Sequence, residues 1–199
     1  MLYSTLSAFG RMLGSLFYYA PDQQQNPQLL SLLHSAQWQA EAPFLSDVQK
    51  SAIQAYFSDE HLSNAEQNYQ HLFIGPDALP VAPWGSVYLD KEQVIFGESL
   101  LALRTFLEQH SLHFQLTQNE PEDHFGLMLM MMAYLAENKP EALAEFFEQH
   151  FLTWAYRFLS LFNQQPDSLY VGLGKIAESL LIYAQQHLKL TPQAVEIYR

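Results

Sequence analysis

The chain has 199 residues, of which 49% are hydrophobic and 15% charged, a composition that excludes a disordered chain and suits one domain with a buried core. With 21 acidic against 9 basic residues, the formal net charge of −12 argues against nucleic-acid and anionic-membrane partners and favours a cationic peptide. The absence of cysteine excludes disulfides, thiolate zinc sites and a cysteine nucleophile.

The first part of the chain predicts amphipathic helices. Residues 2–17 carry apolar side chains at spacings of three and four, which is typical of one helix, and Pro21 is expected to end it. Pro27 is expected to begin a short second helix. Residues 35–45 are predicted to form a loop, and Ser46 is predicted to begin the next helix.

A capping box is predicted at Ser63 and Glu66, because this spacing lets each side chain bond a free backbone N–H at the start of a helix. The helix after it has an apolar face. It is expected to end at Gly75–Pro76.

Residues 74–95 differ from their surroundings. Their prolines and glycines predict an irregular segment, yet many of their side chains are apolar or aromatic. A connection of this length is usually functional or disordered, and the aromatic content argues against disorder. We therefore expect a functional loop whose aromatic and proline surface would bind a peptide, with ordinary core packing as the alternative.

An acidic segment, Glu120–His124, comes after a predicted helix at 96–107 and a predicted polar loop at 115–119. Its three carboxylates could hold a guanidinium group through charge-assisted hydrogen bonds, which makes Glu120 and Glu122 possible arginine contacts. The alternative is a helix that begins at Pro121, where negative charge interacts favourably with the helix dipole.

The remainder of the chain is also predicted to be helical. The helix after Pro121 is apolar nearly all round, which indicates a buried central helix with its methionines filling the core, rather than an adaptable methionine surface. Pro140 is expected to begin the next helical stretch, with a possible break near His150, and a last long helix comes after it. The sequence thus predicts an all-α fold, one single-domain helical bundle of about nine to ten helices over residues 1–199.

No enzyme signature is found. The Gly172–Lys175 run lacks the spacing and the preceding strand of a phosphate-binding loop, and the eight histidines show no metal-ligand spacing, so neither metal nor cofactor is expected. The longest apolar run, 125–136, is shorter than the ~20 residues that a bilayer requires. The N-terminal segment does not have the pattern of a signal peptide, so we expect a cytoplasmic protein without stable membrane insertion.

Five segments give the chain a family resemblance. They are LGSLFYYAP at 13–21, LFIGP at 72–76, PWGSVYLD at 83–90, FGES at 96–99 and EPEDHFG at 120–126. In these segments, and from about residue 9 to the C-terminus, the chain resembles the TorD/DmsD family of redox-enzyme maturation chaperones, and especially the members that bind twin-arginine leaders.

The resemblance implies an all-helical protein without catalytic chemistry. Its implied partner is the twin-arginine signal peptide of a molybdenum-cofactor reductase subunit of the dimethyl sulfoxide reductase type. Binding would hold the precursor back from the Tat translocase until it is folded and loaded with cofactor, and Tat components themselves are possible partners. Since relatives can exchange domains, a dimer stays possible beside a monomer.

The resemblance also implies the residues of the leader site. The positions that match the family's pocket are Tyr69, Leu72, Phe73, Pro83, Trp84, Tyr88, Gly97, Pro121, Asp123 and His124. The chain departs from the family pattern at Tyr69 and Tyr88, where tryptophan is common, at Asp77, where an aromatic residue is common, and at His71, where a basic residue is typical. We expect Asp123 to accept a hydrogen bond from a leader arginine, and we expect His124 to titrate at ~6.5 in the same pocket.

Two other functions are carried forward as alternatives. One is a nucleotide-binding or nucleotide-hydrolysing enzyme, since guanine-nucleotide binding has been proposed for the family. The other is a scaffold that binds the mature reductase or Tat components instead of the leader. A phosphate-binding loop would favour the first, and binding to a client without its leader would favour the second.

Overall fold

The computed structural model describes residues 1–93, 95–112 and 120–199, and these form an all-helical bundle. The α-helices in chain order are α1 (Leu2–Tyr18), α2 (Asn26–His34), α3 (Asp47–Gln54), α4 (Asp59–Ser63), α5 (Ala65–Tyr69), α6 (Ser86–Leu89), α7 (Glu98–Gln109), α8 (Phe125–Asn138), α9 (Leu143–Glu145), α10 (Leu152–Phe162) and α11 (Leu169–Leu188). A π turn at Gln70–Ile74 continues α5, and another at Phe146–Phe151 joins α9 to α10. With these joins the described residues contain ten continuous helices besides short 3-10 turns, which confirms the predicted all-α bundle.

Helix α8 lies at the centre of the molecule and packs along α1. Ten of its 14 residues are buried, as its apolar sequence predicts. A Cβ atom added to Gly14 would lie 2.7 Å from the carbonyl oxygen of Gly126, and one added to Gly126 would lie 2.9 Å from the carbonyl oxygen of Gly14. The two glycines therefore allow the main chains of α1 and α8 to touch.

The predicted break near His150 is confirmed as the π turn between α9 and α10. A π turn inserts one extra residue into a helix and so rotates the next helical turn about the axis. Here Phe146, Phe147 and Phe151 are all fully buried across the insertion. The turn therefore lets three aromatic rings enter the core from one short segment.

The capping box predicted at Ser63 and Glu66 is wrong. Ser63 is the last residue of α4, and its hydroxyl donates to the carbonyl oxygen of Glu60 at 2.8 Å. A capping box does exist earlier, where Ser46 and Gln49 bond each other's backbone N–H groups at the start of α3. Because the chain is already helical before residue 63, that position cannot begin a helix.

The loop predicted at 35–45 contains a 3-10 helix, Gln37–Glu41. Its Trp38 is only 2% exposed, and the indole N–H donates to Oε1 of Gln54 at 2.9 Å. The short helix thus contributes a large side chain to the core.

The predicted helix start at Pro121 is also wrong. Helix α8 begins at Phe125, and His124 occupies its N-cap. Glu122 and Asp123 consequently lie before the helix, and their charges have other partners. The polar loop predicted at 115–119 lies outside the described residues. Within the described ranges, no helix is both long enough and apolar enough to cross a bilayer.

Candidate functional site

Two irregular segments meet at an antiparallel bridge between Trp84 and His124. The backbone N–H of Gly85 donates to the carbonyl oxygen of Asp123 at 3.1 Å, which holds the functional loop against the start of α8. The Trp84 and His124 rings contact each other with centroids 6.2 Å apart. Gly85 and Asp123 instead line a cavity, so the bridge has an aromatic side and a cavity side.

The aromatic side is built from five rings: Tyr18, Tyr69, Phe73, Trp84 and His124. The His124 ring lies 5.4 Å from Tyr18 and 6.4 Å from Phe73, measured between centroids. The Tyr69 hydroxyl donates to the carbonyl oxygen of Tyr18 at 2.6 Å, which ties the end of α5 to the end of α1. Among the five, Trp84 is only half-buried and the other four are buried, so the indole is the part that a partner can reach.

Glu120 stands beside this indole. The Nε1–H of Trp84 donates a hydrogen bond to Oε1 of Glu120. Burial raises the pKa of Glu120, the hydrogen bond from Trp84 opposes that rise, and the nearby charge of Asp123 adds to it. In the described part of the chain no basic side chain forms an ion pair with Glu120. Its charge is therefore partly desolvated and uncompensated.

Glu122 differs from Glu120 although only one residue separates them. Both Nε and Nη2 of Arg104 donate to its Oε2, at 2.9 and 2.8 Å. This ion pair links the acidic segment to α7. Of the two predicted arginine contacts, Glu122 thus already has a cationic partner, whereas Glu120 has none among the described side chains.

His124 caps α8 as a neutral imidazole. Its Nδ1 accepts the backbone N–H of Gly126 at 3.1 Å, so the ring proton resides on Nε2. Burial lowers the pKa of His124 to about 3. The expectation that His124 titrates near 6.5 is therefore wrong, because the surrounding rings exclude the water that would solvate an imidazolium.

Asp123 is 4% exposed and bonds the backbone of the functional loop. Its Oδ2 accepts the backbone N–H of Ser86 at 2.6 Å, at the first residue of α6. Burial raises the pKa of Asp123, and the hydrogen bonds from Ser86 act in the opposite direction. This carboxylate holds the chain that carries Trp84 in place, which a helix-dipole role would not predict.

The other predicted site residues are mostly structural neighbours of these groups. Leu72, Pro83 and Pro121 are buried. Tyr88 is fully buried, donates its hydroxyl to the carbonyl oxygen of Ala82 at 2.7 Å, and stacks on Trp154. These side chains shape the site from beneath.

Gly97 lies away from Trp84, against Asp90. A Cβ atom at Gly97 would collide with the Asp90 carboxylate. That carboxylate accepts both the backbone N–H and the hydroxyl of Ser99 at the start of α7. The glycine therefore allows Asp90 to close the loop between α6 and α7.

Sequence reasoning missed four residues of the site: Tyr18, Ser86, Asp90 and Arg104. The first three lie inside the segments that carry the family resemblance, which was the signal available for them. Arg104 lies outside those segments, and its pairing with Glu122 depends on the tertiary structure. The Gly172–Lys175 run lies within α11, and no group of three or more acidic or histidine side chains in the described ranges is arranged to hold a metal ion.

Comparison with known proteins gives concordant results. The family model described as nitrate reductase delta subunit matches residues 41–160. A Haemophilus influenzae protein described as "Probable Tat proofreading chaperone DmsD" is 45% identical over 196 residues, covering 98% of this chain and 97% of the relative. The Salmonella typhi "Tat proofreading chaperone DmsD" is 39% identical over 188 residues, covering 94% of this chain and 91% of the relative.

A solved structure shows the same fold. The crystal structure of a "Putative Redox Enzyme Maturation Protein" from Archaeoglobus fulgidus superposes with a TM-score of 0.56 at 18% identity. The match covers 89% of this chain and 93% of that chain.

Proposed function

The chain belongs to the TorD/DmsD family of redox-enzyme maturation chaperones, and we propose that it is a Tat proofreading chaperone that binds the twin-arginine leader of a molybdenum-cofactor reductase subunit. The family membership confirms the resemblance found in the sequence. The relatives are chaperones and not catalytic enzymes, which supports a binding role. In this role the protein acts in the cytoplasm and holds back export until a precursor of the dimethyl sulfoxide reductase type is folded and cofactor-loaded.

The observation that carries the proposal is the half-buried indole of Trp84 beside the uncompensated carboxylate of Glu120. A twin-arginine leader offers guanidinium groups followed by an apolar stretch. A guanidinium placed at Glu120 would form charge-assisted hydrogen bonds where water is partly excluded. The apolar stretch would lie on Trp84, since large aromatic side chains are frequent centres of binding energy.

The remaining predicted residues support this contact in our proposal. Tyr69, Leu72 and Phe73 form the buried base of the aromatic side, and the His124 ring lies between this base and Trp84. Asp123 acts indirectly, because its bond to Ser86 fixes the loop. We propose that residues 1–199 act as one domain with 74–95 as its binding loop.

Departures from the family pattern point to leader preference. His71 and Asp77 are both exposed and line one shallow cavity of about 250 Å³ beside Gly75. We propose that these two positions contact leader residues outside the arginine pair. In our proposal these two exposed departures act next to the aromatic side, whereas the departure at Tyr69 lies within it.

The test is a calorimetric titration with a synthetic leader peptide of a dimethyl sulfoxide reductase-type subunit. Glu120→Gln should weaken binding several-fold, because it removes the open carboxylate. Glu122→Gln is the matched control, since the same charge is lost from a carboxylate already paired with Arg104, and it should change affinity little. Equal affinity for the native leader and for a leader with both arginines changed to alanine would overturn the proposal.

The same titrations separate the alternatives. A mature reductase without its leader that binds as tightly as the precursor would favour a scaffold. No observation favours the nucleotide-dependent enzyme, because the glycines of the Gly172–Lys175 run lie within α11 and pack against Tyr56 and Asn163.

A further inference from the structure

A groove runs along α1 on the side that faces α2. It consists of two adjoining cavities of about 380 and 200 Å³, which share Ala8, Met12 and Leu29 in their walls. Six of the eight residues that line the smaller cavity are apolar, and Trp38 is the largest of them. We call the two cavities together the α1–α2 groove. None of the residues that line it belongs to the predicted leader site.

Helix α2 forms one wall of the groove and is held mainly at its two ends. Only Asn26 and Leu33 of its nine residues are buried. The side-chain amide of Asn26 donates to the carbonyl oxygen of Tyr19 at 2.8 Å. At the other end of α2, the side-chain amide of Gln54 donates to the carbonyl oxygen of Leu33 at 3.0 Å. Polar contacts thus fix the position of α2 before any partner binds.

The apolar side chains in the middle of this wall are left accessible. Leu29 and Leu32 line the groove and are only half-buried, and Ala8 of α1 is exposed. Free energy decreases when apolar surface is removed from water. A wall that is already fixed loses little freedom on binding, so a partner that covers these side chains is favoured.

A methionine of α8 completes the wall. Met128, Met131 and Met132 are fully buried and fill the core. Met130 is only half-buried, and it lines the larger cavity together with Met12 of α1. Unbranched thioether side chains adjust to partners of varied shape. One methionine of α8 therefore faces the groove instead of the core.

The groove adjoins the aromatic side. Tyr19 lines the larger cavity, and its ring contacts that of Tyr18 with centroids 4.8 Å apart. The Tyr18 ring in turn contacts His124, and His124 contacts Trp84. A continuous series of rings therefore connects the groove with the half-buried indole.

We propose that the α1–α2 groove binds the apolar stretch of the twin-arginine leader. The proposal rests on the leader-binding function proposed above. With its guanidinium groups at Glu120, the leader passes over Trp84 and Tyr19 and enters the larger cavity. Its apolar stretch then covers Leu29 and ends beside Trp38 in the smaller cavity.

The groove has a length that suits such a segment. Tyr18 lies ten positions after Ala8 on α1, which corresponds to roughly 15 Å at ~1.5 Å per helical residue. The apolar stretch of a leader has about 7–15 residues, so as a helix it spans roughly 10–22 Å. A helical stretch that lies along α1 would therefore fill the groove, as amphipathic helices do in other apolar grooves.

The charges along the groove also favour an uncharged occupant. Among the described residues that line it, Arg11 is the one basic side chain, and its Nε donates to Oε1 of Glu137 at 3.2 Å. The one acidic side chain, Glu41, is exposed to solvent. A charged segment would lie against the apolar wall and lose hydration without gaining a partner. The apolar part of the leader thus suits the groove, and its arginines suit Glu120.

The experiment uses one variant that blocks the groove and one matched control. Ala8→Gln places a longer polar side chain in both cavities at an exposed position of α1, and glutamine is a good helix former. Ser31→Gln adds the same side chain to α2 at an exposed position that does not line the groove. Melting curves on both variants check that the fold is kept.

Both variants and the wild-type chain are titrated by calorimetry with two synthetic peptides. One is the native leader, and the other has two residues of its apolar stretch changed to serine. We expect Ala8→Gln to weaken binding of the native leader several-fold and binding of the changed leader by a smaller factor, because the two changes disrupt the same contact. Ser31→Gln should bind both peptides like the wild type.

A spin-labelled leader gives an independent measurement on the wild-type chain. A nitroxide at the end of the apolar stretch should broaden the backbone amide signals of Gln37 and Trp38, which line the smaller cavity. The amide signals of α7 should stay sharp. Broadening in α7 and not at Trp38 would overturn the proposal.

The outcomes separate this proposal from the leader-binding function. If Ala8→Gln binds the native leader like the wild type while Glu120→Gln weakens it, the groove proposal fails and the leader-binding function stands. Equal losses for both peptides in Ala8→Gln would also overturn the groove proposal, because the effect would not depend on the apolar stretch. A dimer of the free chain that dissociates in Ala8→Gln, measured by sedimentation, would assign the groove to a second copy instead.

Discussion

Two carboxylates of one acidic segment differ in burial and in hydrogen-bond partners, because they lie on opposite sides of the Trp84–His124 bridge. On the aromatic side, Glu120 is half-buried beside an indole that a partner can reach. On the cavity side, Asp123 is almost fully buried and bonds the backbone of Ser86. Two acidic residues three positions apart thus have different surroundings, one beside a half-buried indole and one bonded to the loop that carries that indole.

The tryptophans on the two sides should separate stability from binding. Trp154, on the cavity side, is 1% exposed and stacks on Tyr88, so Trp154→Ala should lower the free energy of unfolding by about 3–5 kcal/mol. Trp84→Ala removes a half-buried side chain and should leave the fold intact, but should weaken leader binding by about 1–3 kcal/mol. Urea denaturation and leader titration on both variants measure the two quantities.

Acrylamide quenching adds a direct control. Trp38 and Trp154 are buried, so Trp84 is the one tryptophan that a quencher reaches readily. Quenching should fall when the leader binds. If Trp84→Ala unfolds the protein while its folded fraction binds normally, the aromatic side is core and not a binding surface.

The pH dependence of stability should be controlled from the aromatic side. Burial lowers the pKa of His124 to about 3, so between pH 6.5 and 3 the unfolded chain takes up a proton that the folded chain does not. The stability conferred by the neutral ring is complete above pH 6.5 and falls as the pH decreases, by roughly 2–3 kcal/mol from pH 6.5 to 4.5. His150, whose pKa burial also lowers, acts in the same direction.

His124→Asn isolates the histidine contribution, because asparagine keeps an N-cap acceptor for α8 without titrating. The variant should be less stable at neutral pH, since it loses three ring contacts, but its stability should vary less with pH. Glu120 and Asp123 have raised pKa values and oppose the histidine effect in both proteins. An unchanged slope of unfolding free energy against pH in His124→Asn would show that other groups set the acid response.

The smallest expected effect concerns Arg104, which forms an ion pair with the carboxylate of Glu122. Both side chains are partly exposed, so Arg104→Gln should cost no more than about 1 kcal/mol of stability. Freeing Glu122 should raise leader affinity slightly, and the double variant Arg104→Gln, Glu122→Gln should remove that gain. A lower leader affinity in Arg104→Gln alone would mean that the ion pair positions the acidic segment.

The sequence predicted the features that depend on local pattern. The all-round apolar run at 125–136 correctly indicated a buried central helix, and Pro27 correctly indicated the start of α2. The prolines and glycines of 74–95 indicated an irregular segment that carries the motif PWGSVYLD at 83–90, although Ser86–Leu89 of that motif form the short helix α6. These signals are periodicity, proline geometry and a specific motif, and each is contained in a short window.

The features that the sequence could not predict depend on contacts between distant segments. Pro121 looked like a helix start, but Asp123 bonds Gly85 and Ser86 instead, which delays α8 to Phe125. The pairing of Glu122 with Arg104 and the burial that keeps His124 neutral likewise require the folded chain. The composition of the acidic segment therefore indicated its negative charge correctly. It did not indicate that Glu120 and Asp123 lie on different sides of the bridge.

The main chains of α1 and α8 touch at Gly14 and Gly126, close to the Trp84–His124 bridge, and this contact sets the position of the start of α8. Gly126 is two residues from His124, and its N–H is the one that donates to that imidazole. Because atoms of the main chain set the spacing here, no rotamer change in a side chain can absorb a displacement at this crossing. Even one added methyl group at either glycine would move the first turn of α8, and both sides of the bridge would move with it.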